Sequence, residues 1–253
     1  MQRVERTLKY GEIYFSSRTE LNDPFELRIA LTPPANKKLA VTGLVKSVQR
    51  AGKRRGATAK DVMAAQARMK RQTPAAVYAQ MQKQHNERLE TDCFIFCLSG
   101  NRTNPLLWSH YADSHRGLCI QFHHKVIPFA ASCAVTYSES YPTSSYPAPD
   151  SDVDDLFKKS ILTKSRHWIY ENEFRLFSVR MGNKGSDLGL PWVTSQLARV
   201  SPKTIKGITV GASMPKGVRT RLIAFCKKER PDIEIAAANT RSDKYELEFS
   251  EVV

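Results

Sequence analysis

Two glutamates, Glu171 and Glu173, stand two residues apart in RHWIYENEFR, the stretch from Arg166 to Arg175. Read as a strand, the stretch puts Ile169, Glu171, Glu173, Arg175 and Phe177 on one face. Trp168, Tyr170, Asn172, Phe174 and Leu176 take the other. The two carboxylates would then lie roughly 7 Å apart. Like charges that close raise one another's proton affinity, which suits acid/base work or the stabilisation of a developing cation. The plain alternative is a solvated strand face on which Arg175 neutralises Glu173. Ile169 and Phe177 make that face apolar at both ends, as the wall of a cleft would be.

A second group with chemical potential falls in NPLLWSHYADSH. Asn104 is suited to cap a helix and Pro105 to start it, and Gly117 to stop it in a left-handed conformation just beyond His115. Trp108 and Tyr111 are three apart and lie on one side of such a helix, and Leu107, His110 and Tyr111 share a face. His110 either orients a substrate and bonds the glutamates, or is a satisfied structural histidine beside Trp and Tyr. Familiar sites are missing: the chain has no Walker loop, dinucleotide glycine fingerprint, nucleophile elbow or paired-histidine zinc helix. The five cysteines are odd in number and widely spaced, against a disulfide framework. Cys93 and Cys97 share a strand face in CFIFCLS without a second ligand pair, and read as core thiols with no metal site.

The elements that must position these residues follow from pattern. EIYFSS, DCFIFCLS, LCIQF, AVTYSESY, WIYENEFRLFSVR, KTIKGITVGASM, IEIAAANT and YELEFSEVV read as strands. DCFIFCLS is apolar on both faces and should be central in its sheet. VDDLFKKSILTKS and KGVRTRLIAFCKKERP read as helices, and 141–152, with its prolines and serines, as a loop. Residues 37–90 carry further helices, with Thr58 and Thr73 as caps. The expectation is a single α+β domain over 1–253, with a mixed, mainly antiparallel sheet core and a basic helical insertion at 36–90. No apolar run approaches the roughly 20 residues that span a bilayer, and the N-terminal stretch has no apolar leader core, so a cytoplasmic protein without a membrane partner is expected.

The net charge is +14, and 36–90 holds 13 Lys/Arg against three acids, or +10 of that total. Such a block reads as a surface for RNA or DNA, with Lys53, Arg54, Arg55, Arg68, Lys70 and Arg71 as its contact residues, or as a solvated helical face.

The segments IYFSS, LNDPFE, CFIFCLS, LLWSHYADSHRGLCIQF, LTKSRHWIYENEFR and IKGITVG occur in this order. Together they resemble a widespread bacterial family long labelled a domain of unknown function, with Asn-Asp-Pro-Phe-Glu, Leu-Trp-x-His-Tyr-Ala and Tyr-Glu-x-Glu-Phe/Trp-Arg signatures. The match covers most of 8–215 outside the insertion. The pattern also looks like a distant ADP-ribosyltransferase. That resemblance implies NAD as substrate and Glu173 as the catalytic glutamate, stabilising an oxocarbenium-like transition state. Glu171 would orient or deprotonate the acceptor, and Tyr111 and His110 would assist. It implies NAD contacts from Ser16, Asn22, Asp23 and Phe25, stacking of Trp108 or Tyr111 on nicotinamide, and an NAD-gripping cation among Arg3, Arg6, Lys9, Arg18 and Arg175. The role implied is a bacterial toxin or phage-defence effector that modifies nucleic acid, with an antitoxin or defence-system partner. Two other readings stay open. One is a non-enzymatic nucleic-acid-binding module. The other is a metal-dependent nuclease using Glu171, Glu173 and Asp23.

Overall fold

Gly11 sets the first turn of the chain. Helix α1 (Gln2–Tyr10) precedes it. Val4 and Leu8, four apart, turn one side of α1 inward, and Glu5 and Lys9 suit the two ends of the helix dipole. Gly11 adopts φ 67°, and a Cβ there would meet the Val200 carbonyl oxygen at 1.9 Å. Only glycine serves both needs.

The structure is a computed structural model and describes residues 2–32, 49, 56–71, 73–145, 153–181, 184–185 and 188–252. The strands that follow α1 are β1 (Glu12–Tyr14), β2 (Ser16–Ser17) and β3 (Ala30–Thr32). Helices α2 (Ala59–Lys70) and α3 (Pro74–Asp92) lead into β4 (Cys93–Ser99), and α4 (Pro105–Tyr111) into β5 (Leu118–Phe122). Three short strands come next, β6 (Cys133–Ala134), β7 (Thr136–Ser138) and β8 (Thr143–Ser145). Helix α5 (Val153–Leu162), β9 (Thr163–Ser165), β10 (Glu173–Met181), β11 (Lys184–Gly185) and β12 (Leu197–Arg199) continue the chain. It ends with β13 (Ile205–Val210), α6 (Lys216–Glu229), β14 (Glu234–Thr240) and β15 (Leu247–Glu251).

The architecture is mixed α and β with mostly antiparallel sheets. One sheet runs β11-β10-β4-β2, with β6 also on β10, so β4 is flanked on both sides as its two apolar faces require. Glu173 pairs with Ser99 and Arg175 with Cys97 across β10 and β4. The second sheet, β15-β14-β13-β5, is antiparallel except between β13 and β14, which α6 joins. Two short parallel pairs, β3 with β8 and β7 with β9, bring distant segments side by side. The second of them places Lys164 beside Tyr137. β8 lies in the stretch expected to be loop.

Two features of the sequence reading sit differently. Helix α4 ends at Tyr111 rather than near His115. The left-handed residues are Asp113, Ser114 and His115, and Gly117 serves close approach instead: a Cβ there would lie 3.0 Å from the Ala112 oxygen. Caps hold as expected at Asn104, which accepts from Leu106 N at 2.9 Å, and at Thr73, which accepts from Ala76 N at 3.3 Å. Of the basic block, Arg68 and Arg71 are exposed and Lys70 falls in α2, while Lys53, Arg54 and Arg55 lie outside the described residues. Among the described residues no helix is long and apolar enough to cross a membrane.

The end of α3 packs into the core. Leu89 is buried with Cys93, Ile95, Phe157 and Ile161. One α3 turn earlier, buried His85 meets Ser160 Oγ at 3.0 Å and the Phe157 ring at 5.0 Å. Burial, with the Arg88 guanidinium adding to it, pushes the His85 pKa down to about 4. A base whose pKa is lowered by folding takes up protons in the unfolded chain first. Stability should therefore fall as pH drops from about 6.5 to about 4, by roughly 2–3 kcal/mol from this side chain. Denaturant titrations at several pH values should show that slope, and His85→Gln should flatten it.

Candidate active site

RHWIYENEFR is not one strand. Arg166–Glu171 forms a 3-10 turn, Asn172 reverses the chain at φ 43°, and β10 starts only at Glu173. Asparagine tolerates the left-handed region that a β-branched residue would resist. The reversal is held on both sides. Gly100 N donates to Asn172 O at 2.9 Å, and Ser99 Oγ donates to Glu171 O at 2.6 Å. Tyr137 Oη accepts from Glu173 N at 2.8 Å.

The carboxylates nevertheless converge, on a lysine. Lys164 Nζ lies 2.5 Å from Glu171 Oε2, 2.9 Å from Glu173 Oε2 and 3.2 Å from Glu26 Oε1. Arg175 Nε donates to Glu173 Oε1 at 2.7 Å, its Nη2 reaches Glu26 Oε2 at 2.7 Å, and its Nη1 donates to Ile161 O at 2.5 Å. Glu171 is 3% exposed, Glu173 4% and Arg175 0%. The solvated-face reading is thereby overturned. Arg175 does neutralise Glu173, but inside the protein and jointly with Lys164.

Burial alone would raise the Glu173 pKa, yet Arg175 and Lys164 override it and hold the carboxyl well below the ordinary carboxylate range. Burial alone would lower the Lys164 pKa, and Glu173, Glu26 and Glu171 reverse this and drive it up. Tyr111 Oη donates to Glu171 Oε1 at 2.5 Å, and burial together with that bond pushes the phenol pKa up, so it remains a donor. Asn22 Nδ2 completes the chain by donating to Tyr111 Oη at 3.1 Å. Asn22 and Glu26 come from LNDPFE, Tyr111 from LLWSHYA, and Glu171, Glu173 and Arg175 from YENEFR. Three motifs far apart in sequence thus meet in one hydrogen-bonded cluster.

A cleft of about 830 Å³ opens against this cluster. Asn22, Asp23, Pro24, Phe25 and Arg28 form part of its lining, and so do Ser138–Pro142, Thr163–Ser165, His167, Trp168 and Tyr170. Lys164 and Asn22 belong to both cluster and cleft. Trp168 stacks its ring under Lys164 Nζ at 5.0 Å and sits 5.9 Å from Tyr170.

The expected site residues divide accordingly. Asn22, Asp23 and Phe25 line the cleft, and Asp23 Oδ1 accepts from Phe25 N at 2.9 Å to shape the turn. Tyr111 is 53% exposed and joined to Glu171. His110 bonds neither glutamate. It lies on the outer side of α4, with ring centroids 6.0 Å from Trp168 and 6.4 Å from Tyr170. Trp108 cannot stack on a ligand: it is buried, with Nε1 donating to Arg102 O at 2.7 Å. Ser16 pairs with Ile95 in β2 and is not among the cleft-lining residues. Arg175 has no free donor face for a bound anion. Three of the other basic candidates are engaged in ion pairs, Arg6 with Glu12, Lys9 with Glu229 and Arg18 with Glu90. Arg3 lies over the Tyr14 ring. The nuclease reading meets the same obstacle, because Lys164 and Arg175 occupy the space between the carboxylates. Among the described residues no three His, Cys, Asp or Glu form a metal-holding group.

Sequence reasoning missed Lys164, Glu26 as a functional side chain, and Trp168 as the cleft aromatic. The one available signal was position: Glu26 closes NDPFE, and Lys164 and Trp168 stand just before YENEFR. No protein-family model matches this chain, and neither curated proteins nor solved structures provide a match.

Proposed function

We propose that this protein is an ADP-ribosyltransferase-like enzyme that breaks the nicotinamide–ribose bond of NAD in the cleft beside Lys164, with a nucleic acid as acceptor. One observation carries the reading. Three buried carboxylates, Glu26, Glu171 and Glu173, face two buried cations, Lys164 and Arg175, leaving one formal negative charge in the cluster directly behind the cleft-lining Lys164. When the C–N bond breaks, neutral nicotinamide departs with the electron pair, and the positive charge its ring carried moves onto the ribosyl carbon. A fixed surplus of negative charge placed for the sugar, and not for the ring, favours that state over the ground state. The acceptor then bonds the carbon and gives up a proton. Glu171 is linked to the cleft-lining Asn22 through Tyr111. Glu173 bonds both cations. This reverses the roles that the resemblance implied for the pair. Trp168 and Tyr170 supply aromatic surface for a planar ring.

The test is incubation with NAD labelled in the adenosine half, with RNA or DNA added. The expected outcome is nicotinamide release and label on the nucleic acid. No release, with salt-dependent nucleic acid binding intact, would instead favour the non-enzymatic module, which the exposed Arg68 and Arg71 also suit.

A further inference from the structure

Helix α6 presents a basic face that the site leaves unused. Its inner side carries Leu222 and Cys226 into the core of the second sheet, with Val218 and Phe225 packed against them. Its exposed residues are Lys216, Gly217, Thr220, Arg221, Ala224, Lys227 and Lys228. On a 3.6-residue period, Gly217, Thr220 and Ala224 run along the middle of that face. Lys216 and Lys227 flank one side of this spine, and Arg221 and Lys228 flank the other. The result is a low ridge with a row of cations on each side, about 16 Å long from Lys216 to Lys227 at 1.5 Å per residue.

Helix stability does not account for this arrangement. Lys227 and Lys228 suit the negative end of the helix dipole, but Lys216 lies in the first turn, where positive charge is unfavourable. The first turn holds no acid to offset it. Lys216 and Lys227 have no ion-pair partner among the described residues. The acid of the helix, Glu229, lies off the face and is held by Lys9 at 2.8 Å, with Lys228, 82% exposed, only at the 3.9 Å edge of its reach.

We propose that this face of α6 binds the phosphate backbone of a nucleic acid, the two cation rows gripping phosphates on either side of the small-residue spine. No large apolar side chain is exposed between Lys216 and Lys228. The anchors that a protein partner or a membrane surface needs are therefore missing, whereas phosphate contacts need only charge and close approach. The surface lies outside the 36–90 block and does not depend on the NAD reading, since nicotinamide release without nucleic acid measures that reading separately.

Fluorescence anisotropy with labelled duplex RNA and duplex DNA of about 20 base pairs, between about 50 and 200 mM salt, tests it. Replacing Lys216, Arg221, Lys227 and Lys228 together by glutamine should reduce the slope of log K against log salt by about 3 to 4 and weaken binding at least about tenfold. A separate Ala224→Glu variant, which leaves all four cations in place, should also weaken binding. Melting curves confirm that both variants are folded. The proposal is overturned if both bind like the wild type, or if the wild type binds vesicles containing phosphatidylserine and neither duplex. A difference between the RNA and DNA arms identifies which backbone is held.

Discussion

Glu171→Gln should cut the rate of nicotinamide release by about 10²–10³-fold while the protein stays folded. The substitution keeps the side chain's size and one acceptor oxygen for the Tyr111 hydroxyl, which donates at 2.5 Å in the native protein. It removes one of the three carboxylates that surround Lys164, so the cluster moves from one surplus negative charge to neutrality. The loss concerns a charge placed for the ribosyl carbon, onto which the positive charge of the nicotinamide ring moves only in the transition state. The effect belongs in kcat, with KM for NAD changing little. Lys164 retains Glu173 at 2.9 Å and Glu26 at 3.2 Å, which is why stability should change far less than rate. Single-turnover nicotinamide release and thermal melting on one preparation separate the two. A variant that releases nicotinamide at the native rate would remove Glu171 from the reaction.

The scaffold around this residue was more legible than the residue itself. β4 was readable because CFIFCLS is apolar on both faces, and a strand so composed belongs inside a sheet. The start of α4 was readable because Asn104 and Pro105 act locally, through a cap and a preset φ. The turn before Glu173 was not. Aromatic residues at Trp168, Tyr170 and Phe174 favour extended chain, and what overrides them is nonlocal, namely the bonds from Gly100 and Ser99 to Asn172 and Glu171. Lys164 fell at the end of VDDLFKKSILTKS, read as a helix, whereas the helix stops at Leu162 and Lys164 lies in β9. Its burial depends on Glu26 and Glu173, partners that only the folded chain brings near. Trp108 and Trp168 were exchanged for a similar reason. Each has one apolar and one polar neighbour, Leu107 and Ser109 or Ile169 and His167, and which ring faces the cleft is decided by the packing of Trp108 against Ala112, Ala238 and Leu247.

Arg175→Met should be the most destabilising single change in the cluster. The guanidinium is fully buried and bonds Glu173, Glu26 and the Ile161 carbonyl. Methionine fills similar volume but leaves three carboxylates, Glu26, Glu171 and Glu173, with Lys164 alone, and breaking a buried pair from one side costs roughly 3–5 kcal/mol. For a chain of this size that lowers Tm by roughly 6–20 °C. Adding Glu26→Gln should recover part of the loss, by about 1 kcal/mol or more beyond additivity, because it removes one of the stranded charges. Simple additivity in this double-mutant cycle would mean that the groups do not act as one network. The pH dependence has a definite sign. Folding lowers the Glu173 pKa, so the stability it contributes is present above the ordinary carboxylate range and is lost as pH falls toward the depressed native value. Without Arg175 most of that contribution is absent from the start. The gap in stability between wild type and Arg175→Met should therefore be widest near neutrality and should close on acidification, as Glu173 takes up a proton in both proteins.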